Sequence, residues 1–546
     1  MGWQDWLFCY LLLQSVQAAT LPWRIWPATL ITHDSRPPAI DWTRCDRDFD
    51  DELLNRLQRS FDCARVPVPL DYTNEYSSQP LLLDLVRVNA NRHPYKGSVI
   101  FNPGGPGGSG VSYVILKGGM LRKFIGGHYD IIGFDPRGAG RTLNTSCDGI
   151  FDRPLPTASP AKKLESDIYM EDGADWESIK NEAWQDAGVF ADACYKNNAD
   201  TGRFYGTPYV ARDIVKIADA LGQGSKINYW GVSYGTILGQ VLAAMFPERV
   251  GRMLLDGNLL ADEHFAGTWK SSTKDTEKAI LHFFSNCIAA GPQSCSLASN
   301  YSTIKSLVDA YNELQRLYHE DDILSHSIGK ESSKEDWFER SVFAHLYSVA
   351  RYPELVSRLK GALEGNETAA FLPIDNRTNS RDRSAFLMIA CGDSSFRADS
   401  PDDLFSFYQA QLNQGPFGDT VALNRFQCAR WKFRAAEQVN LNSLLRIKPD
   451  RPVLIVNGIY DPVTPLISAW EVSTRFPGSR VVVHEGAGHS SMSHPSSCIK
   501  KIVARYFNSG LLPEVNTTCK PDLSAFEVVE ALGTFANPKA AYPDSQ

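Results

Sequence analysis

Lys226-Ile227-Asn228-Tyr229-Trp230-Gly231-Val232-Ser233-Tyr234-Gly235-Thr236 is the stretch that decides the fold. It closes an apolar β-run and opens a segment with helical character that continues to Phe246, so Gly231-x-Ser233-x-Gly235 falls at a strand-to-helix junction. That is the setting of a nucleophile elbow. The serine sits on a strained turn with its hydroxyl projected above the sheet, and the two glycines let strand and helix pack closely around it. The five-residue pattern alone arises often by chance in long chains; the strand before it and the helix after it give it weight.

Other β-rich runs recur on both sides of the elbow, at 81–88, 98–102, 129–134, 252–255, 452–457 and 480–484, beside the elbow strand at 226–232. Helical segments lie between them, which predicts a mainly parallel sheet flanked by helices. One helix is marked by Thr207 as cap, Pro208 at its first position, apolar Val210, Ile214, Ile217 and Leu221 along one face, and Gly222 as stop. Between the fifth and sixth strands lie nearly two hundred residues of helical texture, for example 274–290 and 333–350. A parallel sheet accommodates such an insertion beyond the C-terminal ends of its strands, as a lid. The expected organisation is a first part of the catalytic core at 20–256, a helical cap at 257–450 and the second part of the core at 451–546, with a smaller helical excursion at 157–205.

A serine hydroxyl is a weak nucleophile at neutral pH and needs a base that is itself oriented by an acid. Both follow in the order Ser, Asp, His. Asp461 comes after the strand Val453 to Asn457 and a turn, and His489 after Val481-Val482-Val483 and the turn Glu485-Gly486-Ala487-Gly488. An Asp before Pro, as Asp461-Pro462 is, commonly does no more than start a turn. His484 and His494 compete for the base, but His484 falls within the strand pattern and His494 near the start of the next helix. For the oxyanion, the glycine-rich loop Pro103-Gly104-Gly105-Pro106-Gly107-Gly108 after the strand 98–102 offers bare backbone. Pro106 has no N–H to give, so Gly105 and Tyr234 are the expected donors.

The same loop carries a second reading. Gly105, Gly107 and Gly110 spell G-x-G-x-x-G after a strand, and Asp135 stands where a ribose-binding acid would, which together describe a dinucleotide-binding oxidoreductase. Pro106 and Pro136-Arg137-Gly138 fit that reading poorly, and it leaves Ser233, Asp461 and His489 without a role.

In its 546 residues the chain has 43% hydrophobic and 22% charged side chains and a net charge of −8, the balance of a globular protein with a sizeable core. An acidic surface without a basic patch makes nucleic acid and anionic membranes poor partners. Residues 1–19 read as a secretion signal, with an apolar run from Leu7 to Leu13 and Val16-Gln17-Ala18 before the cut, although no Lys or Arg precedes the run; a buried N-terminal helix is the alternative. No other stretch is long and apolar enough to span a bilayer. Ten of the eleven cysteines lie beyond that signal. Pairing sequence neighbours would join Cys45 with Cys63, Cys147 with Cys194, Cys287 with Cys295, Cys391 with Cys428 and Cys498 with Cys519, a hypothesis because sequence does not set connectivity. Sequons begin at Asn144, Asn300, Asn366, Asn376 and Asn516. No metal-binding pattern is present: His484 and His489 are five apart in a Gly-rich stretch and would not share a helical face. A secreted location and no metal or organic cofactor are expected.

Taken together the motifs resemble the prolyl aminopeptidase family of α/β-hydrolases, and within it the secreted tripeptidyl-aminopeptidase-like branch. The similar segments are Val66 to Tyr72, the oxyanion loop, Gly133 to Gly138, Asn228 to Thr236, Cys391-Gly392-Asp393, Cys428 to Trp431 and Arg451 to Cys519. The resemblance implies an α/β-hydrolase fold with Ser233 as nucleophile, Asp461 as orienting acid, His489 as base, and Gly105 and Tyr234 lining the oxyanion hole. It also implies release of short peptides or residues from free N-termini, with lid carboxylates holding the substrate's ammonium group; Asp262 and Glu263 are the candidates. The sequence departs from many members in carrying Pro103 where they have histidine. A serine triad makes acyl transfer to water possible without separating amide from ester, because specificity lives in the lid. An esterase, lactonase or other small-molecule hydrolase, serving for instance a biosynthetic pathway, is therefore the alternative to an aminopeptidase. The substrate is a peptide or small molecule; the sequence is silent on oligomeric state.

Overall fold

The computed structural model describes residues 40–535 apart from 76–77, 144, 148–172, 328–333, 373–379, 416, 419–421 and 423–424. Ten strands form one sheet, in the spatial order β1 (Thr43–Arg44), β2 (Asp62–Pro69), β3 (Pro80–Val88), β5 (Asp130–Phe134), β4 (Ser98–Asn102), β6 (Ile227–Val232), β7 (Val250–Asp256), β8 (Leu454–Tyr460), β9 (Arg480–Ala487) and β10 (Thr518–Cys519). From β5 to β10 every neighbouring pair is parallel, and β1, β2 and β3 add an antiparallel edge. The seven strands expected from sequence are all present, and β1, β2 and β10 are additional. β2 escapes a sequence reading because Pro67 and Pro69 break its pattern. It tolerates them because β1 covers only its first two residues, which leaves its proline end on a sheet edge.

The parallel strands are apolar on both faces because helices cover both. β4 and β5 are buried along their whole length. Ile100 and Ile132 point into one core with Ile214, Ile237 and Leu238 from the helices Thr207–Ala220 and Tyr234–Met245. Val99, Phe101 and Ile131 point into the other with Val114 and Tyr506 from the helices Gly110–Phe124 and Ser497–Ser509. Each such side chain stabilises the fold by roughly 1.5–3 kcal/mol relative to exposure. The chain leaves β4 toward β5 on one side and later enters β6 on the other. The crevice beyond the carboxyl ends of β4 and β6 is therefore the topological switch point, where open α/β sheets place their ligands.

Between β7 and β8 the chain is helical and includes Thr276–Ser294, Ile304–Ser327, Lys334–Leu346, Tyr352–Leu363, Ser380–Asp393 and Phe405–Leu412. Phe283, Phe284, Tyr311, Phe338 and Leu355 of this part pack into a core that the helix Ala525–Phe535 joins through Phe526. The first of these helices breaks at Gly291, whose φ is 74°. The excursion expected at 157–205 contains the helix Gly173–Asn198. Its beginning, the signal segment 1–19, Asn144 and Asn376 lie outside the described residues. Asn300, Asn366 and Asn516 are exposed.

One cap differs from expectation. Gly206, not Thr207, is the N-cap of the helix Thr207–Ala220, and Pro208 occupies its first turn. The Thr207 hydroxyl goes instead to the buried Asp393, 2.5 Å away, and meets the Tyr234 hydroxyl at 2.5 Å. A longer-range link joins two of the segments that carry the family resemblance. The buried Arg137 guanidinium donates to both carboxylate oxygens of Asp213, at 2.7 and 2.9 Å, and to the carbonyls of Pro69 and Leu70, each at 2.6 Å. The five expected cysteine pairs are each joined as disulfides.

Candidate active site

β6 ends at Val232 and the next helix starts at Tyr234, which leaves Ser233 alone at the junction with φ 59° and ψ −125°. A non-glycine residue in that region is strained by about 1–3 kcal/mol and persists only where its surroundings enforce it. Here the Ser233 amide donates to the Asp256 carbonyl at 3.1 Å, and the Thr236 amide donates back to the Ser233 carbonyl at 2.8 Å. A Cβ on Gly231 would lie 2.1 Å from the Gly235 oxygen, and one on Gly235 would lie 2.7 Å from the Asn102 oxygen, so the closeness of the elbow requires both glycines. A serine at a helix N-cap usually accepts a hydrogen bond from the first turn. Ser233 does not, and its half-buried hydroxyl is left to other chemistry.

Asp461 and His489 meet at the ends of β8 and β9. The imidazole Nδ1 donates to both Asp461 oxygens, at 3.1 and 3.0 Å, which leaves Nε2 as the lone-pair nitrogen. The carboxylate also accepts from the amides of Val463 at 3.0 Å, Thr464 at 2.9 Å and Ser490 at 3.0 Å, and from the Thr464 hydroxyl at 2.6 Å. Asp461 thus starts a turn and holds an imidazole with the same two oxygens. Burial by itself would raise its pKa, but the charge and hydrogen bond of His489, with the Thr464 and Ser490 donors, hold it below the usual carboxylate value. For His489 burial pulls downward and is outweighed by the charge and hydrogen bond of Asp461 and the charge of Asp256, so its pKa lies above the ordinary histidine value.

Asp256 links the elbow to the histidine loop. Its carbonyl takes the Ser233 amide, while its carboxylate accepts from the amide and hydroxyl of Ser491 at 2.8 and 2.6 Å. Burial pushes this carboxyl up to about 6. A Cβ on the next residue, Gly257, would lie 3.3 Å from His489 Cε1. Asp256 and Gly257 thereby tie the elbow to the histidine loop, and no hydrogen bond joins Ser233 to His489 among the described residues; such bonds commonly tighten only when substrate is bound.

The oxyanion loop runs beside the elbow. A Cβ on Gly104 would lie 2.8 Å from Ser233 Cβ and 3.0 Å from the Tyr234 nitrogen. The Gly104 amide is already used by Asn102 Oδ1 at 3.0 Å. The amides of Gly105 and Tyr234 donate to no acceptor among the described residues, so they can serve an incoming oxygen. Asp135, the acid of the dinucleotide reading, is spent on its own loop: it accepts from the Ser109 hydroxyl at 2.6 Å and the amides of Val111 and Arg141. Among the described residues no three His, Cys, Asp or Glu side chains cluster as a metal site would need.

The other sequence candidates have partners of their own. His494 accepts from the Ala487 amide with Nδ1 and donates from Nε2 to the Leu523 carbonyl, so both nitrogens are occupied. Burial and the charge of His494 bring His484 down to about 4. Asp262 pairs with Arg475 at 2.9 Å, and Glu263 accepts from the amide and hydroxyl of Ser271. Sequence reasoning did not find the cap residues that grip the loops carrying Asp461 and His489. The Tyr347 carbonyl accepts from the His489 amide at 2.8 Å, its ring lies 5.3 Å from the imidazole, and Asp275 accepts from the Leu466 amide at 3.1 Å. Tyr347 and Asp275 sit in no motif, and only the fold brings them here.

Residues 97–285, which include the oxyanion loop and Ser233, match the family model described as alpha/beta hydrolase fold; residues 413–519, which include Asp461 and His489, match the one described as TAP-like protein. Over 508 residues the chain is 26% identical to a tripeptidyl aminopeptidase of Streptomyces lividans, covering 88% of this chain and 87% of that protein. It is 26% identical to the serine protease Hip1 of Mycobacterium tuberculosis, covering 88% and 91%. It is also 27% identical to a protein of the same organism named carboxylesterase B, covering 89% and 90%.

Proposed function

We infer that this chain, a TAP-like α/β-hydrolase and a serine hydrolase by its relatives, is a secreted aminopeptidase that releases short peptides or residues from free N-termini through an acyl-enzyme. The observation that carries the chemistry is the two-oxygen grip of the buried Asp461 on His489 Nδ1, on a loop tied through Asp256 to the strained Ser233. Ser233 Oγ attacks the scissile carbonyl while His489 Nε2 takes its proton. The amides of Gly105 and Tyr234 receive the oxyanion, and His489 returns the proton to the leaving amine. Water, activated by the same imidazole, then releases the acyl group. Two relatives named as tripeptidyl aminopeptidase and serine protease support the amide reading. Five disulfides, and no described helix long and apolar enough to cross a membrane, are compatible with export.

The relative named carboxylesterase B favours the second reading, an esterase. Hydrolysis of a tripeptide chromogenic amide with a free amine, of its N-acetylated twin and of a short acyl ester separates the two. Strong preference for the free amine is the expected result; indifference to acetylation together with fast ester cleavage would establish the esterase instead.

The base must be unprotonated to accept the serine proton, and the charges of Asp461 and Asp256 raise its pKa. Activity is therefore expected to fall on the acid side with a kcat/KM limb above the ordinary ~6.5 of histidine. A profile flat from pH 5 to 8, or a limb clearly below that value, would remove His489 from this role.

A further inference from the structure

Arg425 is 3% exposed. Its guanidinium carbon lies 3.8 Å from the centroid of the Trp269 ring and 4.9 Å from that of Phe386. Its guanidinium forms no ion pair or hydrogen bond with any described residue, and its Nε is sealed from solvent without an acceptor. Of the other buried arginines, Arg137 is neutralised by Asp213 and Arg475 by Asp262 and Glu471, while Arg358 donates to the Leu372 carbonyl. Desolvating a guanidinium costs several kcal/mol, and stacking on aromatic faces returns only about 0.5–2 kcal/mol. Burial with no charge set against it pulls Arg425 down to about 9, which still leaves it a cation at neutral pH. A cation buried at this cost with no counter-charge beside it calls for an anion.

The segments that supply these two rings also pack toward the oxyanion loop and the elbow. A Cβ on Gly107 of the oxyanion loop would lie 2.8 Å from Ala385 Cβ and 2.9 Å from the Phe386 nitrogen. Trp269 packs 5.6 Å from the His264 ring, which lies 5.5 Å from that of Tyr234, the residue after Ser233. Trp269 is itself held at φ 46°, a strained conformation for an aromatic residue. The buried carboxylate of this layer, Asp393, is used by Thr207 and His264 and is not available to neutralise Arg425. The disulfide between Cys391 and Cys428 ties together the two segments that supply Phe386 and Arg425.

We propose that Arg425 receives a carboxylate carried by the substrate, so that this enzyme selects peptides or acyl groups with an acidic side chain. The proposal rests on the serine-hydrolase reading and gives it a substrate class. It is tested with free-amine tripeptide chromogenic amides in which Glu replaces Gln at each of the three positions in turn, and with a matched ester pair, a glutarate monoester against its neutral methylated form. In the wild type at least one acidic substrate is expected to exceed its neutral twin about tenfold or more in kcat/KM, chiefly through KM, because a charge-assisted pair formed away from water is strong. In Arg425→Gln that ratio is expected to fall to about one. In Arg425→Lys, which keeps the charge but not the planar fork, it is expected to fall only in part. Equal rates within every pair for the wild type, or a preference that survives Arg425→Gln, would overturn the subsite. If no peptide is cleaved while the ester pair still discriminates, the aminopeptidase reading falls and the subsite stands.

Discussion

Ser233→Ala is expected to lower kcat by roughly four orders of magnitude or more on any substrate the enzyme turns over. The loss is this large because no other described group can take the place of the hydroxyl. What survives in such a variant is binding and the oxyanion donors, which alone give a modest rate over water. The fold is expected to be untouched. Ser233 Oγ does not cap the helix it precedes, so its removal leaves no buried donor or acceptor without a partner. The strain at φ 59° is carried by the backbone and is shared by alanine. Turnover and thermal melting measured on the same preparation check both halves of the statement. A variant that keeps more than about a thousandth of the activity, with an unchanged melting temperature, would show that Ser233 is not the nucleophile.

What was legible in sequence was what is local. The elbow announces itself because a β-run, a tight turn and a helical run must follow one another for Ser233 to stand where it does. His489 could be separated from His484 because one falls beyond a glycine-bearing strand end and the other within a β-run that opens on three valines. Asp461 was legible for a different reason: an Asp that starts a turn and one that grips a histidine place the same demand on the chain, a strand end followed by a bend. The parts that stayed hidden are joined only through space. Asp256 ends a strand like any other residue until Ser491, 235 positions away, donates to it. Thr207 looks like a helix cap, and nothing nearby in sequence says that Asp393, 186 positions on, will claim its hydroxyl. Arg425 is one of many arginines until folding buries it against Trp269. The proline-bearing β2 was missed because tolerance of Pro67 and Pro69 depends on which edge of the sheet the strand occupies, and that is a property of topology.

Asp461→Asn is expected to cost about 10³- to 10⁴-fold in kcat, some 4–5 kcal/mol of transition-state stabilisation, while leaving a folded protein. Asparagine starts turns as readily as aspartate, and its carbonyl oxygen can keep the amides of Val463 and Thr464. The second oxygen becomes an NH₂ group facing the Ser490 amide, which is also a donor, so one buried hydrogen bond is lost at about 1–3 kcal/mol of stability. The larger consequence is chemical. An amide N–H facing His489 Nδ1 favours the tautomer with its proton on Nε2, and that nitrogen then cannot take a proton from Ser233. Loss of the carboxylate also removes the main influence that holds the imidazole above its ordinary pKa. The residual activity is therefore expected to show its acid limb at lower pH than the wild type. A purely structural role for Asp461 would lower the melting temperature and the amount of active enzyme but would leave that limb where it was. Wild-type pH dependence in the variant, or a kcat within tenfold of wild type, would take Asp461 out of the proton-transfer machinery.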